Sequence, residues 1–150
     1  MPDPPDHEDR LGHLLWEVSA YTTALGDAAL ADTPLSHSGI GILNTVADEP
    51  GITVAEIARR TPKTPQAISQ VASRLEKLGL LERRLAEGRG VGLHLTDAGR
   101  ATQVAGDKQE AAFDQHLRDT LGAARYTALT TLLGEARAIL QDRDDAPSTG

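Results

Sequence analysis

Two short helical patterns separated by only three residues constrain this fold more than any other feature of the sequence. The first begins at Thr53-Val54-Ala55-Glu56, where the Thr hydroxyl and the Glu carboxylate can each accept a bond from a backbone amide of the first turn. The second has Thr64 as its N-cap and Pro65 at its first helical position, and it continues to Leu78. Two short helices joined by such a turn predict a helix-turn-helix.

The second of these helices has one apolar and one polar face. Apolar residues recur at helical spacing and define the inward face, which consists of Ile68, Val71, Ala72, Leu75 and Leu78. The outward face carries Gln66, Ser69, Gln70 and Ser73, with Arg74 and Lys77 at its border. Gly79 follows, as is typical of a helix C-terminus.

The hydrophobic period changes to that of a strand after Gly79. Two alternating segments, Leu81 to Leu85 and Val91 to Leu95, flank the glycine-rich residues 86–90. This pattern predicts a β-hairpin with Arg89 near its tip. A hairpin directly after a helix-turn-helix is expected to form a wing.

Helices are predicted on both sides of this module. Residues 8–30 carry an apolar stripe, and a second helix starts at Ser36 as its N-cap. Thr96 can cap a long helix over residues 97–121, and residues 126–140 carry a complete apolar stripe. The expected fold is mainly α (α+β), a winged helix-turn-helix with long N- and C-terminal helices.

The first and last helices need a partner that covers their apolar stripes. A winged domain of roughly 65 residues offers little surface for two long stripes, whereas a second copy of the chain can cover both, so a homodimer is expected. The predicted division of the chain is a disordered arm over residues 1–7, dimerisation helices over 8–35 and 97–141, the winged domain over 36–96, and a disordered tail over 142–150.

Charge is distributed unevenly along the chain. The formal net charge is −7. Between Glu56 and Arg89, however, eight basic minus four acidic residues give +4, which leaves −11 on the remainder. A basic segment in an acidic chain is typical of a module that contacts nucleic-acid phosphates. A solvated charged face has the same composition, and charge alone does not separate the two.

The composition argues against several other classes of protein. The chain has no cysteine, which excludes disulfides, thiol switches and Cys-ligated zinc. Its five histidines are scattered, and the glycines at 88, 90 and 92 lie in a hairpin turn where a nucleotide-binding loop is not expected. No apolar run approaches the roughly 20 residues that cross a bilayer. We therefore expect a cytoplasmic protein without enzymatic activity, metal or cofactor.

Two motifs in this sequence resemble the MarR family of bacterial transcriptional regulators. Arg74-Leu75-Glu76-Lys77-x-Gly79-Leu80 is similar to the exit of that family's recognition helix, and Leu93-x-Leu95-Thr96-x-x-Gly99 is similar to its wing-to-helix junction. The resemblance covers about residues 8 to 140. It implies a homodimeric winged helix-turn-helix protein that binds palindromic promoter DNA, often as a repressor released by a small aromatic or phenolic ligand.

The sequence departs from the family pattern in the wing and in the recognition helix. Glu87-x-Arg89 stands where the family usually carries Asp-x-Arg in the wing, and Gln70 and Ser73 stand where many members have a basic and an acidic residue. The operator sequence therefore cannot be transferred from relatives.

Candidate DNA contacts lie on the helix-turn-helix and the wing. Gln66 and Gln70 can pair with adenine, amides at the helix start suit phosphate, and Arg89 can enter a minor groove. Solvent exposure of a polar helix face, and strand-edge charges that prevent aggregation, are the alternative interpretations. The full candidate set is Lys63, Thr64, Gln66, Ala67, Ser69, Gln70, Ser73, Arg74, Lys77, Arg83, Arg84 and Arg89.

Two further expectations are less specific. Trp16, His37 and Ile40 are candidates for a site that binds a small aromatic or phenolic effector, because Trp16 offers a stacking surface and His37 a titratable donor. Core packing and surface exposure of the same residues are the alternative. For the whole chain, the competing hypothesis is a winged-helix module whose basic face binds an acidic protein.

Overall fold

The computed structural model describes residues 6–30, 35–86, 88 and 90–144. Within these ranges the chain contains six α-helices and one two-stranded antiparallel sheet, as the sequence predicts. The elements in chain order are α1 (Leu11–Ala29), α2 (His37–Asp48), α3 (Val54–Arg60), α4 (Pro65–Lys77), β1 (Leu81–Ala86), β2 (Gly90–Leu95), α5 (Asp97–Leu121) and α6 (Ala123–Asp144).

The helix ends differ from the predicted ones by a few residues. Residues His7–Asp9 form a short 3-10 helix, so α1 begins at Leu11. At the other end, α6 continues to Asp144, beyond the predicted start of a disordered tail. The remainder of the predicted arm and tail, residues 1–5 and 145–150, lies outside the described residues.

The chain divides into two compact units, residues 1–110 and 111–150. The core of the first unit is built from aliphatic side chains of α2, α3, α4 and the hairpin. Eight side chains larger than alanine are at most 2% exposed in it: Ile40, Leu43, Val46, Ile52, Ile57, Ile68, Leu75 and Leu93. Burial of each such side chain contributes roughly 1.5–3 kcal/mol. This core holds α3 and α4 in place as a helix-turn-helix.

The C-terminus of α4 is closed by a hydrogen-bonded turn. The Leu80 amide donates to the Leu75 carbonyl at 2.9 Å, and the Gly79 amide donates to the Glu76 carbonyl, also at 2.9 Å. Gly79 has a φ of +73°, a left-handed conformation that glycine adopts without steric cost. Leu80 is buried, so the turn also sends the chain into the core before β1 begins.

The hairpin extends beyond the core. Its strands pair in register from Leu81 opposite Leu95 to Ala86 opposite Gly90. Leu93 exchanges hydrogen bonds with residues 51 and 52, since its carbonyl accepts from the Gly51 amide and its amide donates to the Ile52 carbonyl. Leu81, Leu93 and Leu95 are buried, whereas Leu85 is 83% exposed. The alternating pattern thus locates the strands, and only their inner halves contact the core.

One residue assigned to the inward face of α4 is not in the core. Leu78 is 41% exposed, although its spacing matches that of the buried residues. The reason is that Leu78 is the C-cap and the chain turns away at Gly79.

The start of α5 packs closely on the same turn. Thr96 caps α5 by accepting from the Gly99 amide at 2.9 Å, and its hydroxyl donates to the Gly79 carbonyl at 2.6 Å. A Cβ atom on Gly99 would lie 1.9 Å from the Leu80 carbonyl oxygen. Only glycine therefore permits this contact between α5 and the end of α4.

The second unit contains the end of α5 and all of α6. The Tyr126 hydroxyl donates to the Asp114 carboxylate at 2.6–2.7 Å, and the Arg118 guanidinium lies 5.4 Å from the centre of the Tyr126 ring. The apolar residues of α6 are exposed in the single chain, including Leu132 and Leu140. In the first unit, Leu11 and Tyr21 of α1 are also exposed.

We predict that Gly99→Ala destabilises the protein. The added methyl group would meet the Leu80 carbonyl, and overpacking of this kind costs about 1–3 kcal/mol or more in the free energy of unfolding. Gly41→Ala is the matched control, because Gly41 lies within α2 with open space around it. That change should stabilise the protein by roughly 0.5–1 kcal/mol. Urea unfolding of both variants checks the prediction, and equal stabilities would contradict it.

Candidate nucleic-acid interface

The outward face of α4 forms a shallow, open recess on the surface of the helix-turn-helix. All six of its lining residues were assigned to this face or its border from the sequence: Gln66, Ser69, Gln70, Ser73, Arg74 and Lys77. We call this surface the α4 face. It offers amide and hydroxyl groups in its middle and cations at its C-terminal border, which is a composition suited to base edges flanked by phosphates.

The N-terminus of α4 is ordered by its own cap. The Thr64 hydroxyl accepts from the Ala67 amide at 3.2 Å, and Pro65 occupies the first turn. The cap therefore already uses the Ala67 amide in this conformation, and the assignment of Ala67 as a DNA contact stays a prediction. Lys63 donates to the Ser38 hydroxyl at the start of α2, so the structure directs this candidate cation toward α2.

The two wing arginines that the structure describes form ion pairs. Arg83 pairs with Glu76 of α4, with 2.8 Å between Nε and Oε2. Arg84 pairs with Glu82 on the same strand. From the sequence, Arg83 and Arg84 are candidate contacts to DNA phosphates, with strand-edge charge as the alternative. Neither ion pair was predicted, although Glu76 and Arg83 have opposite charges. Arg89 and Glu87, the predicted wing tip, lie outside the described residues.

The first helix of the pair begins with the predicted capping box. The Thr53 hydroxyl accepts from the Glu56 amide at 3.2 Å, and the Glu56 carboxylate accepts from the Thr53 amide at 2.8 Å. It also accepts from the Thr53 hydroxyl at 2.9 Å. These bonds, chiefly the one from the Thr53 backbone, lower the pKa of Glu56 below the ordinary value of a Glu carboxyl. The box fixes where α3 starts, and hence how it meets α4.

Comparison with known proteins agrees with this geometry. Residues 35–90 match a family model described as MarR family. The chain is 30% identical over 125 residues to the HTH-type transcriptional repressor Rv2887 of Mycobacterium tuberculosis, a match that covers 82% of this chain and 90% of that protein. The chain belongs to the MarR family. It is accordingly a winged helix-turn-helix transcriptional regulator.

Two solved structures show the same fold as this MarR-family chain. The Mycobacterium tuberculosis MarR family protein Rv2887 in complex with salicylic acid is 28% identical, covers 88% of this chain and 99% of its own, and has a TM-score of 0.69. The transcriptional repressor CouR bound to a 23-mer DNA duplex is 24% identical, covers 91% of this chain and 99% of its own, and has a TM-score of 0.80.

The three candidate effector residues of this MarR-family protein have different surroundings. Trp16 is exposed on α1, with its ring centroid 5.8 Å from that of His13. His37 is an exposed residue at the start of α2, and its Nδ1 lies 3.1 Å from the Glu110 carboxylate. Ile40 is fully buried and contacts Gly106. In this conformation Ile40 is thus a core residue.

A series of hydrogen bonds between polar side chains links α2 to α5 beside His37. The Asn44 amide donates to Glu110 at 3.4 Å, and the Gln103 amide donates to the Asn44 carbonyl oxygen at 2.8 Å. Sequence periodicity did not reveal these hydrogen bonds. Gln103 lies 59 positions from Asn44 in the sequence, and Glu110 lies 66 positions from it. Within the described ranges, no group of His, Asp or Glu is placed to hold a metal ion. No helix in those ranges is long and apolar enough to span a membrane.

We predict that the pKa of the Glu56 carboxylate is lower than that of an ordinary Glu side chain. Because its folded pKa is lowered, Glu56 stabilises the fold above its unfolded pKa, and this contribution is lost as the pH falls through the folded value. Thr53→Val, which removes the hydroxyl, should raise the pKa, and Thr53→Ser should keep it low. NMR titration of Glu56 in the three proteins measures this, and a pKa unaffected by Thr53→Val would contradict the assignment.

Proposed function

We propose that this protein is a homodimeric repressor that binds palindromic promoter DNA through the α4 face and is released by a small aromatic ligand. The α4 face carries the proposal, since it gathers six predicted contact residues on one exposed surface. Residues 36–96 act as the DNA-binding domain and residues 8–35 and 97–141 as the dimerisation region. Such a protein acts in the cytoplasm, where its DNA is, and performs no catalytic step.

Gln66 and Gln70 are the proposed base-contacting residues. Both are exposed and lie one helical turn apart. A Gln amide can donate to and accept from the adenine edge in the major groove, and Ser69 can bond to any base. Arg74 and Lys77 lie at the border of this face, where they can contact phosphates. Arg89 at the wing tip stays a proposed minor-groove contact.

The proposed dimer follows from the apolar residues that the single chain leaves exposed. In α1, Leu11 is 71% exposed and Trp16 67% exposed, and in α6 Leu132 is 62% exposed. Apolar stripes of this extent are features of an interface between chains. A two-fold symmetric pair would present two α4 faces to successive major grooves, about one helical turn of DNA apart.

The competing hypothesis is a protein-interaction module that uses the same basic segment. DNA binding through phosphates weakens steeply as salt rises, with a slope set by the number of contacts. We favour DNA because polar base-contacting side chains and cations share one face, and because the similar CouR structure holds a duplex.

We predict that Gln70→Ala relaxes base preference at one symmetric pair of positions. The loss should be roughly 1–3 kcal/mol per half-site on the preferred duplex and small on duplexes changed at those positions. Lys77→Ala is the contrasting variant. It should weaken binding to all duplexes and reduce the salt slope by about one unit per protomer.

Binding of both variants to a duplex selected from random sequences, measured at several salt concentrations, checks this prediction. A uniform loss for Gln70→Ala over all sequences would make Gln70 a phosphate contact. Binding by the wild-type protein that is independent of salt would favour the protein-interaction hypothesis.

We predict that Leu133→Glu converts a dimer to a monomer. Leu133 is 46% exposed in the single chain, so a charge there is tolerated by the fold but is costly in an apolar interface. Thr131→Glu adds the same charge on the opposite face of α6 and should leave the dimer intact. Sedimentation at micromolar concentration distinguishes the two. A monomeric wild-type protein, or equal effects of both changes, would contradict the proposed dimer.

A small aromatic acid is the proposed effector. Rv2887 has been solved in complex with salicylic acid. In this chain, the candidate residues near the first two helices are Trp16, His37 and Ile40. Because Ile40 is fully buried, its contact with a ligand requires a conformation in which α2 and α5 separate locally. A ligand that binds this conformation more tightly than the DNA-binding one lowers the affinity for DNA. The size of the effect is limited by the difference between the ligand's affinities for the two conformations.

We predict that salicylate changes Trp16 fluorescence and weakens duplex binding over the same concentration range. Trp16 is the only tryptophan of the chain, so the signal has one source. A tenfold loss of DNA affinity corresponds to about 1.4 kcal/mol of coupling. His37→Ala should shift both titrations together. If neither signal changes at millimolar salicylate, this ligand assignment is wrong.

A further inference from the structure

The side chain of Arg83 connects the wing to α4, the proposed recognition helix. From β1 it reaches back past the end of α4, where its Nε donates to Glu76 Oε2 at 2.8 Å. A second guanidinium nitrogen donates to the Ser73 hydroxyl at 3.5 Å. The Arg83 and Glu76 side chains are only 32% and 29% exposed. This pair is therefore shielded more than the Arg84–Glu82 pair on the same strand, whose side chains are 60% and 44% exposed.

We propose that Glu76 and Arg83 are positioning residues that set the wing relative to the α4 face and orient Ser73 for DNA. This inference rests on the proposed function, because it assigns these residues a role in operator recognition. It also reassigns Arg83, whose guanidinium is engaged with α4, from a phosphate contact to a contact within the protein.

The backbone alone does not hold the outer half of the hairpin against α4. Only Leu78, Gly79 and Leu80 separate α4 from β1, and the turn fixes the backbone path at that point. The outer half of the hairpin extends beyond the core, with Leu85 83% exposed. An ion pair across the junction limits how far the strand can tilt against the helix. Since the wing and α4 must contact DNA together, their relative position affects affinity.

The bond to Ser73 limits how its hydroxyl group can turn on the α4 face. A serine hydroxyl has one donor hydrogen and two acceptor lone pairs. Arg83 occupies one of these lone pairs, which leaves the hydroxyl hydrogen and one lone pair for other partners. Ser73 lines the α4 face, where the acceptors that DNA offers are purine N7, guanine O6, thymine O4 and phosphate oxygens. Ser73 can therefore donate to one of these acceptors while it is held by Arg83.

The direction in which Glu76→Gln changes DNA affinity distinguishes a positioning role from a purely electrostatic one. Removal of a carboxylate near phosphates reduces repulsion, so electrostatics alone predicts that Glu76→Gln binds DNA more tightly. Positioning predicts the opposite, because the neutral amide holds Arg83 less firmly. If Arg83 were instead a phosphate contact, Arg83→Gln would reduce the salt slope by about one unit per protomer and Glu76→Gln would not weaken binding.

The experiment measures binding of a selected duplex by the full-length protein and by Glu76→Gln, Arg83→Gln and the double variant, at several salt concentrations. Each single change should weaken binding by about threefold to tenfold, with little change in the salt slope. The double variant should be no weaker than the worse single variant, because both changes break one pair. Glu82→Gln is the matched control and should bind as tightly as the wild type or more tightly.

The base preference of each variant provides a readout that a loss of fold would not produce. Glu76→Gln and Arg83→Gln should relax preference at the same base positions as Ser73→Ala, while their thermal melting stays close to that of the wild type. Tighter binding by Glu76→Gln, or additive losses in the double variant, would overturn the inference while leaving operator binding in place. A wild-type protein that binds no duplex would overturn both proposals.

Discussion

The turn at the end of α4 is the constraint on which the rest of the structure depends. Gly79 adopts a left-handed conformation, and the amides of residues 79 and 80 bond back to α4. The carbonyls of the same two residues accept from the hydroxyl and the amide of Thr96, and Gly99 leaves room for the Leu80 carbonyl. One turn thus joins the recognition helix, the wing and the start of α5.

Local sequence signals predicted the parts of the fold that depend on local physics. The Thr53–Glu56 capping box and the Thr64 cap formed as expected, because capping depends on residues three positions apart. Contacts between distant residues were not predictable in this way. The Arg83–Glu76 pair depends on how the first strand packs against α4, and the exposure of Leu85 depends on where the core ends. The residues of the α4 face were therefore predicted from the sequence, whereas the bonds of Arg83 to Glu76 and Ser73 beside it were not.

Ion pairs within the protein reduce the share of the local positive charge that can contact phosphates. The segment with a net charge of +4 contains eight cations, yet Arg60, Arg83 and Arg84 are paired with Glu49, Glu76 and Glu82. These pairs organise the module and reduce the number of cations directed at phosphates. We expect a salt dependence that corresponds to fewer contacts than the number of basic residues, and a specificity that relies on the polar residues in the middle of the α4 face.

The crystal structure of the full-length protein bound to its selected duplex tests the central claim most directly. We expect a two-fold symmetric dimer with α4 of each protomer in the major groove and with Gln66 and Gln70 at base edges. We also expect that Arg83 remains bonded to Glu76 in the complex. A complex in which α4 lies away from the DNA, or in which a single chain occupies the site, would contradict the account.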